Sequence, residues 1–154
     1  MEMTGEQLIA ASQDTTWQAL NDLEVLKACI PGCESIVASG DNQFDVALTA
    51  KVGPVSAKFK GKLTLADLNP PDSYNLSFEG QGGVAGFAKG SAQVTLSPDG
   101  QGTRLAYAVK ANVGGKLAQI GSRLIDGAAK KLAEQFFSTF NKQVAGAGDG
   151  NKAT

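Results

Sequence analysis

The sequence predicts an α+β domain in which a curved antiparallel sheet wraps around one long C-terminal helix, with two short helices after the first strand. Three observations carry this. Between Phe44 and Ala111, apolar residues recur at every second position through segments separated by turn residues. From about Gly115 to Gln143 the apolar period lengthens to that of a helix. Near the N-terminus, a strand-like stretch runs into two short segments with helix start and stop signals. A sheet with one wet face and one covered face accounts for the alternation.

In chain order, Glu2 to Ala11 reads as the first strand, and Ser12 or Asp14 caps a helix over Asp14–Leu20. Leu23 to Ile30 forms a second helix, stopped by Pro31-Gly32. About six strands follow. Phe44, Val46, Leu48, Ala50 and Val52 alternate with polar or small residues, then Gly53-Pro54 turns the chain into Val55, Ala57, Phe59, Gly61, Leu63 and Leu65. Asn69-Pro70-Pro71-Asp72 is the next turn, leading to Tyr74, Leu76 and Phe78 on one face. A glycine-rich bend over Gly80–Gly86 precedes a strand with Ala92, Val94 and Leu96 inward. Ser97-Pro98-Asp99-Gly100 turns into the last strand, with Leu105, Tyr107, Val109 and Ala111 inward. On the long helix Leu117, Ile120, Leu124, Ile125, Ala128, Leu132 and Phe136 share an apolar face, opposite a wet stripe of Lys116, Arg123, Lys130, Glu134 and Asn141.

Composition excludes several function classes. At 154 residues the chain suits one domain with a core of its own. A formal net charge of −1 gives no global attraction to nucleic acid, and 6% aromatics leave little for base stacking. The absence of histidine removes the commonest general base and the commonest metal ligand. We therefore expect no enzyme, no metal and no cofactor. Met1 to Glu6 lacks the basic and apolar regions of a signal peptide, and no apolar run reaches the roughly 20 residues of a membrane span. A cytoplasmic location is expected, with the two cysteines reduced.

The inward positions mix large side chains with Ala50, Ala57, Gly61, Ala92 and Ala111, and the helix carries Gly121 and Gly127 in its interior. Each such glycine costs about 0.8–1 kcal/mol relative to alanine. Two explanations fit: close helix–sheet packing, or space left for a ligand.

The run Asn21-Asp22-Leu23-Glu24-Val25-Leu26-Lys27-Ala28-Cys29-Ile30-Pro31-Gly32-Cys33-Glu34 resembles the carbon monoxide dehydrogenase G-subunit family. So do Val113-Gly114-Gly115-Lys116-Leu117-Ala118-Gln119-Ile120-Gly121-Ser122-Arg123-Leu124-Ile125-Asp126, the Phe136-Phe137 pair, and the glycine pattern from Gly83 to Gly90. The similarity spans residues 1 to about 144. That family lies in the START-like, pollen-allergen-like helix-grip superfamily, whose members mostly bind hydrophobic small molecules between sheet and helix. The resemblance implies a helix-grip ligand-binding domain over 1–144, and the glycine-rich polar run over 145–154 reads as a flexible tail. It also implies a hydrophobic ligand, such as a quinone or lipid-like molecule, and a molybdenum hydroxylase such as carbon monoxide dehydrogenase as partner. Peripheral contact with the inner face of the membrane goes with that role. In a helix-grip fold the cavity would be lined by Trp17, Leu26, Ile30, Phe44, Phe59, Phe78, Phe87, Tyr107, Ile120, Gly121, Leu124, Leu132 and Phe136.

Three function hypotheses follow. The first is an accessory carrier that links the hydroxylase to a membrane electron acceptor. The second is a maturation or recruitment factor that docks by its surface over a vestigial pocket. The third, a small-molecule cyclase or hydrolase, needs an ionisable group inside the pocket, and no inward strand position supplies one. Other features read more plainly. Cys29 and Cys33 lack the further ligands a zinc site needs and suit a small apolar role. The Gly80–Gly90 bend lacks the lysine–serine ending of a phosphate loop, and Phe87 within it is placed to act as a lid. Lys58, Lys60 and Lys62 form either a basic docking patch or a solvated outer face. Arg123 and Asp126 either pair with each other or belong to a docking face.

Overall fold

The structure, a computed structural model, describes residues 1–153, with side chains through residue 145. The polar tail expected over 145–154 therefore falls almost wholly outside the described side chains. The chain runs β1 (Glu2–Ile9), α1 (Gln13–Leu20), α2 (Leu23–Cys29), β2 (Cys33–Gly40), β3 (Gln43–Val52), β4 (Val55–Asn69) and β5 (Ser73–Gln81). It continues through β6 (Phe87–Asp99), β7 (Gly102–Gly114), α3 (Lys116–Gln119) and α4 (Ser122–Ala153). The strands form one antiparallel sheet in the order β1-β7-β6-β5-β4-β3-β2. β1 and β2 are thus opposite edges, and α1 and α2 carry the chain across the full width between them.

Local chemistry sets these elements. The Ser12 hydroxyl accepts from the Thr15 amide at 3.2 Å, and the Asp22 carboxylate accepts from the Glu24 and Val25 amides, so each short helix has a side-chain cap. The strand register carries the alternation across the sheet: Phe44 faces Leu63, Leu48 faces Phe59, Leu65 faces Leu76, Tyr74 faces Val94, and Leu96 faces Leu105. All the expected inward positions therefore share one face. A Cβ at Gly61 would run into the Glu79 carbonyl of β5, and one at Gly90 into the Lys110 carbonyl of β7. Only glycine lets the backbones approach this closely.

The C-terminal helix departs from expectation. One continuous helix from about Gly115 was expected, but α3 ends at Gln119 and α4 starts at Ser122. Gly121 between them has φ +98°, which a residue with a side chain adopts only at a cost. The apolar spacing runs on across the break because Leu117 and Ile120 still pack inward. A break of this kind is invisible to periodicity. Asn141, expected on the wet stripe, instead accepts from the Ala10 amide at 3.0 Å and donates to the Leu8 carbonyl at 3.1 Å. It clasps α4 to the end of the edge strand β1.

The space between sheet and helix is not filled evenly. Beneath the C-terminal part of α4, Ile9, Leu20, Leu65, Tyr74, Leu96, Leu105, Phe140 and Val144 form the main core. Trp17 meets Tyr74 edge-on at 5.4 Å, and Tyr107 stacks on Phe137 at 5.5 Å. A second, smaller cluster of Phe59, Ala85 and Leu117 closes the opposite end.

Candidate functional site

Between these two packed regions lies a cavity of about 520 Å³. Its roof is the N-terminal half of α4, presenting Ile125, Ala128, Ala129, Leu132, Ala133 and Phe136. Its wall comes from the curved sheet: Met1 and Met3, then Val109, Ala111 and Val113 of β7, Ala88 of β6, Phe78 and Gly80 of β5, Phe59, Gly61 and Leu63 of β4, and Val46, Leu48, Ala50 and Val52 of β3. Ile30 and Pro31, at the end of α2, complete it. The space exists because small residues face each other there. Ala50 pairs with Ala57, Gly61 with Gly80, and Gly90 with Ala111, while Ala128, Ala129 and Ala133 stand above. The same sheet face carries aromatics at the filled end.

Of the thirteen residues expected to line the cavity, Ile30, Phe59, Phe78, Leu132 and Phe136 do so. Trp17, Phe44 and Tyr107 are corrections: they pack into or against the main core at the filled end. The polar tips of Trp17 and Tyr107 therefore do not serve the cavity, and burial pushes the Tyr107 phenol above its ordinary value. Leu26 is half-buried on α2 and lies off the wall. Ile120 belongs to the closing cluster, and it and Leu124 reach over Gly53 in the β3–β4 turn. Gly121 is the helix break. Phe87 falls on the outer face of the sheet, opposite Gly114 and one residue out of phase with Ala88. It is not a lid.

What sequence reasoning missed is the share of the wall made by Met1, Met3, Val109, Val113 and the α4 alanines. Aromatic size drew attention to the filled half. The signal that marks the empty half is the opposite one, alanine and glycine at paired inward positions.

No side chain that the wall turns inward is ionisable. Lys62 and Glu79 border the cavity from outward, exposed positions that register with each other across β4 and β5. Among the described residues no group of three histidine, cysteine, aspartate or glutamate side chains is placed to hold a metal ion. Cys29 is buried, and burial pushes its thiol up from 9.0 to about 11, so it is a neutral packing group. Lys58, on the outer face, pairs with Glu34 at 3.4 Å, both exposed, while no ion pair joins Arg123 to Asp126 among the described residues.

A seven-stranded antiparallel sheet curved around one long helix, with an apolar cavity between them, is a START-like helix-grip fold. The chain belongs to the carbon monoxide dehydrogenase G-subunit (CoxG) family, whose model matches residues 5–145. A conserved protein from Geobacillus kaustophilus is similar at 31% identity over 96% of this chain and 97% of that one, with a TM-score of 0.91. A START superfamily protein from Mycobacterium smegmatis shares 15% identity over 95% of this chain and 98% of its own, with a TM-score of 0.72. The Zhui aromatase/cyclase from Streptomyces sp. R1128 shares 12% identity over 94% of each chain, with a TM-score of 0.68. No curated protein matches the chain. Among the described residues, no helix is long and apolar enough to cross a membrane.

Proposed function

We propose that this protein is an accessory carrier for a carbon monoxide dehydrogenase-type molybdenum hydroxylase, holding a hydrophobic molecule such as a quinone and linking the enzyme to a membrane electron acceptor. The observation that carries the reading is the 520 Å³ apolar cavity in a chain of the CoxG family. A volume of this size is in the range of small-molecule sites, and its empty apolar wall gains about 25 cal/mol for each Å² that a ligand removes from water. Every side chain that the wall turns inward is apolar, which favours binding over turnover, although a fold neighbour is an aromatase/cyclase. Native mass spectrometry of the purified protein, with organic extraction of what leaves with it, tests the proposal. A stoichiometric quinone or lipid supports the carrier. An empty protein that also refuses added quinones would move the function to its surface, as a recruitment or maturation factor. Conversion of a bound small molecule, lost on changing one cavity residue, would make it an enzyme.

A further inference from the structure

The wall of the cavity sorts ligands by polarity. None of the side chains aimed into it carries a hydrogen-bonding group, since Lys62 and Glu79 stand at outward positions. The one charged main-chain group on a lining residue, the Met1 ammonium, already donates to the Ala111 carbonyl at 2.8 Å. An enclosed carbonyl, hydroxyl or carboxylate would lose its water partners and meet no inward polar side chain in exchange, whereas each enclosed methylene is favoured. Three lining residues are exposed, Lys62, Glu79 and Leu132, and of these Leu132, at 40%, is the one on the inward-facing roof, so the opening is assigned beside it. At roughly 30 Å³ for each heavy-atom group, the share a water molecule takes in the liquid, 520 Å³ holds about 17 such groups.

We propose that the cavity takes the hydrocarbon end of a single-chain amphiphile, encloses about 17 heavy atoms of it, and leaves the polar end in water at the Leu132 opening. In a polyprenyl chain this corresponds to about three isoprene units, with the ring outside. The inference rests on the carrier reading and adds the direction of entry and the length enclosed.

The test is calorimetric titration of the delipidated full chain with n-alkyl carboxylates and n-alkyl trimethylammonium salts from octyl to octadecyl, each below its micelle concentration. The ring alone, 2-methyl-1,4-naphthoquinone, is titrated in parallel. Affinity is expected to rise about fourfold per methylene and to level off near 17 carbons, with the two end groups within about tenfold of each other at fixed length. Ala133→Leu, which adds three carbons to the roof, is expected to move the levelling point down by about three carbons while sparing the shorter chains. End-group identity that outweighs chain length would overturn the proposal. So would ring-only binding as tight as the best chain, with the carrier reading left standing. An unmoved levelling point in Ala133→Leu would overturn the enclosed length. If neither chains nor ring bind, the carrier reading falls as well.

Discussion

Filling the cavity from its roof should stabilise the ligand-free protein, and the sign of that effect separates a cavity from a packed interface at this position. Ala129 faces the cavity from α4, and leucine adds three carbons there, or roughly 90 Å³ of the 520 Å³. Core truncations elsewhere cost about 24 cal/mol for each Å³ left empty. Filling the same volume should therefore return about 2 kcal/mol. For a chain of 154 residues, a kilocalorie moves the melting temperature by about 2–4 °C, so Ala129→Leu should melt about 4–8 °C above the wild type. The assay is thermal and urea unfolding of delipidated protein, because bound ligand would add stability to the wild type alone. Leucine is a good helix former, so backbone propensity does not confuse the result. In a packed position the same substitution would cost about 1–3 kcal/mol through overpacking. A variant that melts below the wild type would refute the cavity.

Other outcomes follow from single sites. Gly127 lies in α4 with open space where a Cβ would go, so Gly127→Ala should raise stability by about 1 kcal/mol, read from urea midpoints. Gly121 at φ +98° should respond in the opposite sense, with Gly121→Ala losing about 1–2 kcal/mol. Asn141→Leu removes both bonds to the end of β1 and should cost about 1–3 kcal/mol while speeding amide exchange in that strand. Unchanged exchange would show that the clasp does not hold the edge. For Cys29, the folded value near 11 lies above the ordinary 9.0, so the folded state keeps a proton that the unfolded chain releases. The stability from this group is full below pH 9 and is lost as pH rises towards 11. Urea midpoints should drop between those pH values, and drop less in Cys29→Ala.

The sheet was legible because its alternation reflects one wet and one covered face, and the register keeps Phe44, Leu63 and Phe78 on the same side across three strands. β2 left almost no trace. It carries one buried residue, Ile36, and two register shifts, so no alternation marks it. The break at Gly121 was hidden because apolar spacing continues through it. The existence of a cavity was half legible, since alanine and glycine at inward positions allow both a void and close packing. What separated these readings is cross-strand pairing, which sequence spacing does not supply. Gly61 gains its meaning only opposite Gly80, and Ala50 only opposite Ala57. Gly127 was read as evidence for one or the other, yet it faces open space on the exposed side of α4 and bears on neither.

The uneven filling of the helix–sheet interface explains how a chain of this size keeps an empty space without losing its fold. The aromatic end holds α4 through Phe136, Phe137 and Phe140, whose rings contact one another at 5.0 to 6.5 Å, and through the Asn141 clasp on β1. From that anchor the helix extends over the cavity, and Leu124 near its start reaches Gly53 in the β3–β4 turn, close to the small closing cluster around Leu117. Phe136 belongs to both regions: it stacks on Phe140 and forms part of the cavity wall. The inner limit of the site is therefore set by the most firmly packed part of the core, while the roof above it rests on alanines. A ligand entering such a space completes packing that the chain lacks and need not displace packing already made. Binding should then stabilise the N-terminal half of α4 more than its aromatic half, because only the first is short of apolar contact.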